Sequence, residues 1–205
     1  MKVELFACVK SPQFETEEEM LSYIASQSRN IIPVSTVGLF ERTVDWNHKT
    51  IQEFAFYVFH IQDVSRVLLA QLTRHRIACY NVQSGRHTIP DKCVLPNGIK
   101  RIEGKIFLEN GESYYWYSDK IDNGMFLGGN VPDYPIEDLR YGFPEGTCVN
   151  LFMGINGSSL RNFFKLRMDK HAQLEIRKLA NYVYGLIYQY NPIMLKGIEQ
   201  WEKEI

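Results

Sequence analysis

The chain has 205 residues, of which 45% are hydrophobic and 13% aromatic, enough to build one self-sufficient core and too apolar for a disordered chain. Lys and Arg number 23 against 24 Asp and Glu, a net charge of −1, which excludes a protein held mainly by nucleic-acid phosphates unless its cations gather on one face. Cys8, Cys79, Cys93 and Cys148 stand apart with no CxxC pair, no run approaches eighteen apolar residues, and no secretory leader opens the chain; the expectation is a cytoplasmic protein without metal, disulfides or membrane contact. In chain order, Val3 to Val9 reads as a short buried strand stopped by Lys10-Ser11-Pro12. Glu15 to Ser28 carries Met20, Leu21 and Ile24 at helical spacing, with its acidic residues in a solvated first turn where the helix dipole favours them.

Glu53 to Ile61, EFAFYVFHI, is dense in aromatic and β-branched residues and predicts a buried strand. Asp63 then caps a helix in which Val64, Val67, Leu68 and Leu72 recur at helical spacing and which ends on Arg74-His75-Arg76. Between Ile89 and Pro135 the texture changes to short β-like pieces broken by Pro96-Asn97-Gly98, Asn110-Gly111 and Gly128-Gly129. Ile106 to Leu108 and Ser113 to Ser118 flank Glu109-Asn110-Gly111-Glu112 as a hairpin, and Tyr114-Tyr115-Trp116-Tyr117 reads as a half-buried strand. Ser159 to about Tyr190 predicts one long amphipathic helix ended by Asn191-Pro192. There is no internal repeat and no Pro-, Gly- or Ser-rich linker, so the chain is read as a single domain over residues 1–205.

The sequence holds no GxGxxG after a strand, no GxxxxGK[ST], no HExxH and no GxSxG, which leaves Rossmann, P-loop, zincin and serine-hydrolase chemistry without a motif. Its densest polar cluster is Arg74-His75-Arg76, followed by Asn81, Ser84, Gly85 and Arg86. One reading is structural: cations face the last carbonyls of a helix, and Asn-x-x-Ser-Gly is a turn. The other is functional: on a helix Arg74 and Arg76 point roughly 200° apart, so they grip two anionic groups, while Ser84, Gly85 and Arg86 offer a hydroxyl, close backbone approach and a bidentate phosphate donor. Phe164, Arg167 and His171 share one helical stripe, in which His171 reads as a satisfied core histidine and Asn162 lies about 140° round from Arg167. Cys79 reads as a small buried thiol rather than a nucleophile.

Arg74-His75-Arg76, seven residues, then Ser84 resembles the RHRx7S signature of the flavin-dependent thymidylate synthases, the ThyX type. The flanks carry the likeness further. Gln71 lies in LLAQLT where the family has its nucleotide-side glutamine, and His48-Lys49-Thr50 is similar to the His-x-Thr/Ser pair beside the flavin. Glu137-Asp138-Leu139-Arg140 with Pro144 resembles the Glu-x-Ala-Arg segment, and Asn156 to Arg167 with His171 to Ile176 resembles the C-terminal helix.

The resemblance implies an α/β (α+β) fold with a central mixed sheet flanked by helices, assembled as a homotetramer whose active sites are shared between subunits. It implies reductive methylation of dUMP to dTMP, with 5,10-methylenetetrahydrofolate as carbon donor and FAD, reduced by NADPH, as hydride source; such chemistry asks for positioning and charge more than for a covalent nucleophile. By the same resemblance Arg167 and Ser84 are the catalytic residues. Gln71, Arg74, Ser84, Gly85, Arg86, Arg140 and Arg167 hold dUMP, its phosphate falling to Arg86 and to Arg140 of a neighbouring subunit. His48, Thr50, Arg74, His75, Arg76, Asn81, Asn156 and Asn162 hold FAD.

The chain departs from the family pattern at Phe54, where a histidine is common, at Ser158, where an FAD-binding arginine is common, and at Val82, often acidic. Ile89 to Tyr134 carries the hairpin and many glycines where relatives have a long helix. Two alternatives follow. One is a ThyX-like flavoenzyme acting at C5 of another pyrimidine nucleotide, UMP or toward a hydroxymethyl product. The other is a binding module in which Arg74, Arg76 and Tyr114-Tyr115-Trp116-Tyr117 contact single-stranded nucleic acid; the net charge of −1 stands against it.

Overall fold

A computed structural model describes residues 1–27, 38–95, 97–107, 111, 113–119, 125–128 and 136–198. The elements run β1 (Lys2–Cys8), α1 (Glu17–Gln27), α2 (Leu39–Asp45), α3 (Lys49–Gln52), β2 (Phe56–Ser65), α4 (Arg66–Leu72), β3 (Ala78–Val82), β4 (Arg101–Phe107), β5 (Ser113–Asp119), β6 (Met125–Gly128), α5 (Ile136–Leu139), β7 (Cys148–Asn156), α6 (Gly157–Arg167) and α7 (Leu174–Tyr190). Short 3-10 turns follow α5 and α7. One sheet has the order β1-β2-β7-β3 and a second the order β4-β5-β6. This is a mixed α/β chain, as expected. It divides into two compact units, one of residues 1–2, 61–71 and 81–151, the other of residues 3–60, 72–80 and 152–205.

In the second unit the strands alternate. Tyr57 and Phe59 of β2 and Met153 and Ile155 of β7 are fully buried, whereas Phe56, Val58 and His60 are half-buried. Phe40 of α2, Phe163 and Phe164 of α6 and Leu179 and Val183 of α7 are fully buried as well; each fully buried side chain of this size is worth roughly 1.5–3 kcal/mol. At the acidic start of α1, expected to be solvated, Glu19 is exposed but Glu17 is buried. Glu17 is only 7% exposed, and its Oε2 accepts from Tyr57 Oη (2.7 Å) and Asn191 Nδ2 (2.6 Å), tying α1 to β2 and to the end of α7. Burial raises its pKa, opposed by those two hydrogen bonds.

The expected single C-terminal helix is two. Met168 N closes the last turn of α6 on Phe164 O, and Asp169 Oδ1 accepts from His171 N (2.8 Å), a local turn that outcompetes helix continuation. His171 is therefore exposed and outside any helix, not in the core and not on a stripe with Arg167. The predicted stop at Asn191-Pro192 holds, with α7 ending at Tyr190.

In the first unit, β2 runs past Asp63 to Ser65. Asp63 adopts φ 54° and donates its N–H to Asn150 Oδ1 (3.0 Å), so it kinks the strand rather than capping a helix. The cap is Ser65, whose Oγ accepts from Leu68 N (3.0 Å). The expected hairpin forms from β4 and β5, antiparallel with Phe107 opposite Ser113 and Arg101 opposite Asp119; of its turn, residues 108–110 and 112 lie outside the described residues, as does Gly129. Buried Trp116 faces Gly104, where an added Cβ would come within 2.5 Å of the indole. Among the described residues no helix is long and apolar enough to cross a membrane.

Candidate functional site

A cavity of about 520 Å³ opens in the second unit. Its lining includes Lys49 of α3, Arg74 and Arg76 after α4, and Arg161, Lys165 and Arg167 of α6, with no Asp or Glu among the described residues. Arg161 is spent on Met194 O (2.6 Å) and Lys196 O (2.9 Å); the other five cations, with no carboxylate among the described residues beside them, make a site for a strongly anionic ligand. Asn47, Gln52, Ser158, Ser159 and Asn162 add neutral hydrogen-bonding groups.

The Arg74-His75-Arg76 segment shapes this cavity because it is not helical. α4 stops at Leu72, His75 N returns to Leu72 O (3.1 Å), and Tyr80 Oη reaches both Leu72 O (2.8 Å) and His75 O (3.1 Å). The expected 200° divergence therefore does not apply, and Arg74 and Arg76 both line the cavity. Burial pushes the Tyr80 phenol up to about 12, so at neutral pH it stays a donor.

His75 turns inward, its ring 5.1 Å from that of Phe163 in an edge-on arrangement. Its Nε2 accepts from Arg167 Nε at 2.8 Å. A nitrogen that accepts from a guanidinium carries no proton, so His75 is neutral with hydrogen on Nδ1. Burial first, and the Arg167 charge second, hold its pKa down at about 4. Arg167 is itself lowered by burial and by the charge of Arg74. The cavity thus holds guanidinium groups that oppose one another and that an anion would reconcile.

The remaining predicted flavin residues are placed unevenly. Asn162 lines the cavity. His48 and Thr50 are exposed and do not line it, although Asn47, Lys49 and Gln52 around them do. Asn156 caps α6, its Oδ1 accepting from Ser159 N (2.8 Å). Asn81 is exposed on β3 and belongs to the first unit. Cys79 is exposed rather than buried, with Sγ directed at Gly154 O (3.5 Å).

The predicted nucleotide residues Gln71, Ser84, Gly85, Arg86 and Arg140 all lie in the first unit. Ser84 Oγ accepts from Arg86 N (3.2 Å), and Thr88 Oγ1 donates to Ser84 O (2.9 Å), which fixes a tight turn. Arg86 donates through Nε (2.9 Å) and Nη2 (2.7 Å) to Glu137 Oε2, an exposed pair. A Cβ on Gly85 would come within 2.5 Å of the Arg66 guanidinium and 3.8 Å of Arg140 Cδ. Arg66, Arg86 and Arg140 of one chain therefore gather at this turn. Arg66, Gln52, Lys49 and Lys165 were not foreseen; the signal available for Gln52 and Lys49 was their adjacency to His48 and Thr50.

The family described as thymidylate synthase complementing protein matches residues 3–193. The chain is 32% identical to the flavin-dependent thymidylate synthase of Saccharolobus solfataricus over 152 residues, 72% of this chain and 55% of that one. It is 31% identical to the protein of that name from Clostridium tetani over 165 residues, 75% of this chain and 66% of the relative. The chain spans about half the length of the archaeal relatives it matches. Among solved structures, a Helicobacter pylori ThyX complexed with FAD and dUMP superposes with a TM-score of 0.66 at 19% identity, covering 98% of this chain and 100% of that one, which shows the shared fold.

Proposed function

The chain belongs to the thymidylate synthase complementing protein family, and from that premise we propose that it is a flavin-dependent thymidylate synthase, converting dUMP to dTMP by reductive methylation. The observation that supports this most directly is the cavity built on the Arg74-His75-Arg76 turn, rich in cations and with no carboxylate among the described residues, with Arg167 held by a neutral His75. Its donor set fits FAD: guanidinium and ammonium groups for a pyrophosphate, and neutral amides and hydroxyls for ring and ribose edges. FAD, once bound and reduced, supplies the hydride that completes the methyl group.

The protein's own part is binding and charge. Arg74, Arg76 and Lys165 neutralise the pyrophosphate, with Asn162 on the same wall; Asn156 contributes by fixing the start of α6, and His48, Thr50 and Asn81 by the family resemblance alone. Around the Ser84-Gly85 turn, Arg66, Arg86 and Arg140, with Gln71 nearby in sequence, take the dUMP phosphate, Arg86 exchanging Glu137 for it. Ser84 positions that phosphate with its hydroxyl. The family resemblance sets Arg167 against the uracil ring, where a fixed cation stabilises negative charge developing on it. His75, accepting at Nε2, fixes the direction of Arg167 without adding charge of its own. 5,10-Methylenetetrahydrofolate as carbon donor, NADPH as reductant of the flavin, and assembly as a homotetramer with shared sites complete the proposal.

The test is tritium release from 5-labelled dUMP with FAD, NADPH and 5,10-methylenetetrahydrofolate, together with identification of dTMP. Release with dTMP formed is expected. FAD binding with turnover of UMP and not dUMP would reassign the acceptor, and absence of FAD binding at micromolar concentration would overturn the proposal.

A further inference from the structure

We propose that Gln52 is a further ligand-contacting residue of the arginine-lined cavity, an amide that recognises the hydrogen-bonding edge of a heteroaromatic ring. This rests on the reading of the cavity as a dinucleotide site. Gln52 ends α3, is 1% exposed and lines the cavity. Its Nε2 is buried, and among the described residues no group accepts from it. A buried amide without a partner is a loss to the fold, and a leucine of similar size would relieve it. A glutamine kept at such a place has a partner that arrives from outside the chain.

The surroundings say what kind of partner. The Gln52 backbone is clamped against the start of α6: a Cβ on Gly157 would stand 2.6 Å from Gln52 O and 2.8 Å from Met194 Cε. Gln52 therefore stands at the N-terminal end of α6, whereas Arg167 stands at its C-terminal end, roughly 15 Å along the axis at 1.5 Å per residue. Near Gln52 the lining includes uncharged Asn47, Ser158 and Ser159, the Ser159 amide being already taken by Asn156; the cations at this end are Lys49, which begins α3, and Arg161, whose guanidinium is spent on Met194 O (2.6 Å) and Lys196 O (2.9 Å). At the other end stand Arg167 and, opposing it electrostatically, Arg74. A phosphate belongs with Arg74, Arg76 and Lys165. An amide offers one donor and one acceptor side by side, interchangeable by a half-turn, and matches a ring edge with an adjoining acceptor and donor. Flavin and adenine rings both carry such edges; a phosphate does not.

Gln52→Leu removes the amide at nearly constant volume. The ligand-free variant should be as stable as the parent or more so in urea, while its Kd for FAD, read from flavin fluorescence, rises about 3- to 10-fold, the value of one neutral hydrogen bond. Titrations with FMN and with ADP separate the two rings: the loss should fall on one of them, and binding of inorganic pyrophosphate should not change. Gln52→Met serves as a second apolar variant should the leucine fail to fold. An unchanged Kd for FAD in a folded variant overturns the inference alone, and so does an equal loss for pyrophosphate. Parent protein that takes up no FAD overturns the cavity reading on which the inference stands.

Discussion

Protonation of His75 should cost both fold and cavity, and the geometry sets the size of the effect. The folded imidazole sits at about 4 against an ordinary 6.5, because it is buried and faces Arg167. Between those two values the unfolded chain binds a proton that the folded chain refuses, so stability falls as pH drops through 6.5 and levels off below 4. The full difference amounts to about 3 kcal/mol at 1.36 kcal/mol per pH unit, and screening at a half-buried ring reduces it to about 1–2 kcal/mol. His75→Gln keeps an acceptor and does not titrate. Urea unfolding of both proteins at pH 7.0, 5.5 and 4.5 isolates the term, since Glu17 and the other carboxylates contribute equally to each. The parent should lose about 1–2 kcal/mol more than the variant between pH 7.0 and 4.5. Parallel stability curves, or an imidazole midpoint near 6.5 by NMR, would refute the argument. A hydrogen on Nε2 would do so as well, because that nitrogen accepts from Arg167.

Other outcomes follow from single contacts. Arg167→Ala should leave the fold intact and reduce turnover at least about 100-fold, as expected for a fixed charge facing the reacting ring; near-normal kcat in a stopped-flow or tritium assay removes that role. Gly85→Ala places a methyl within 2.5 Å of the flexible end of Arg66. Stability should move by less than about 0.5 kcal/mol, while KM for dUMP rises and the Kd for FAD stays put, and an unchanged KM counts against the arginine cluster. Glu17→Ala strands Tyr57 Oη and Asn191 Nδ2 and should cost about 2–4 kcal/mol in thermal unfolding. Glu17→Gln keeps an acceptor without the buried charge and should be nearly neutral. Since burial raises the Glu17 pKa, the folded chain takes up that proton before the unfolded one does, so the parent should gain stability relative to Glu17→Gln as pH falls.

What the sequence determined by itself was local. A short apolar run marked β1, although none of its residues is buried as expected, aromatic and β-branched density marked most of β2, and helical spacing marked α1 and α7. Asn-Gly between two β-rich runs marked the strands of a hairpin, and the spacing of Arg74, His75, Arg76 and Ser84 marked the family. These signals survive in one dimension because each depends on residues within a turn or two of one another. What only the tertiary structure decided were the pairings across long stretches of chain. Nothing near residue 75 announces that Arg167 will donate to its ring, or that Tyr80 will draw the segment out of the helix its apolar neighbours suggest. Glu17 looks like a solvated helix start until Tyr57 and Asn191 close over it. The break at Met168 to Gln173 depends on a side-chain hydrogen bond that competes with the helix and leaves no mark in the periodicity. Arg66 joins the nucleotide turn through Gly85, nineteen positions away, and Gln52 enters the cavity against the start of α6. Periodicity reports which face of an element is apolar; it carries no information on which distant polar group that face will bury, and the chemistry of this protein lies in those meetings.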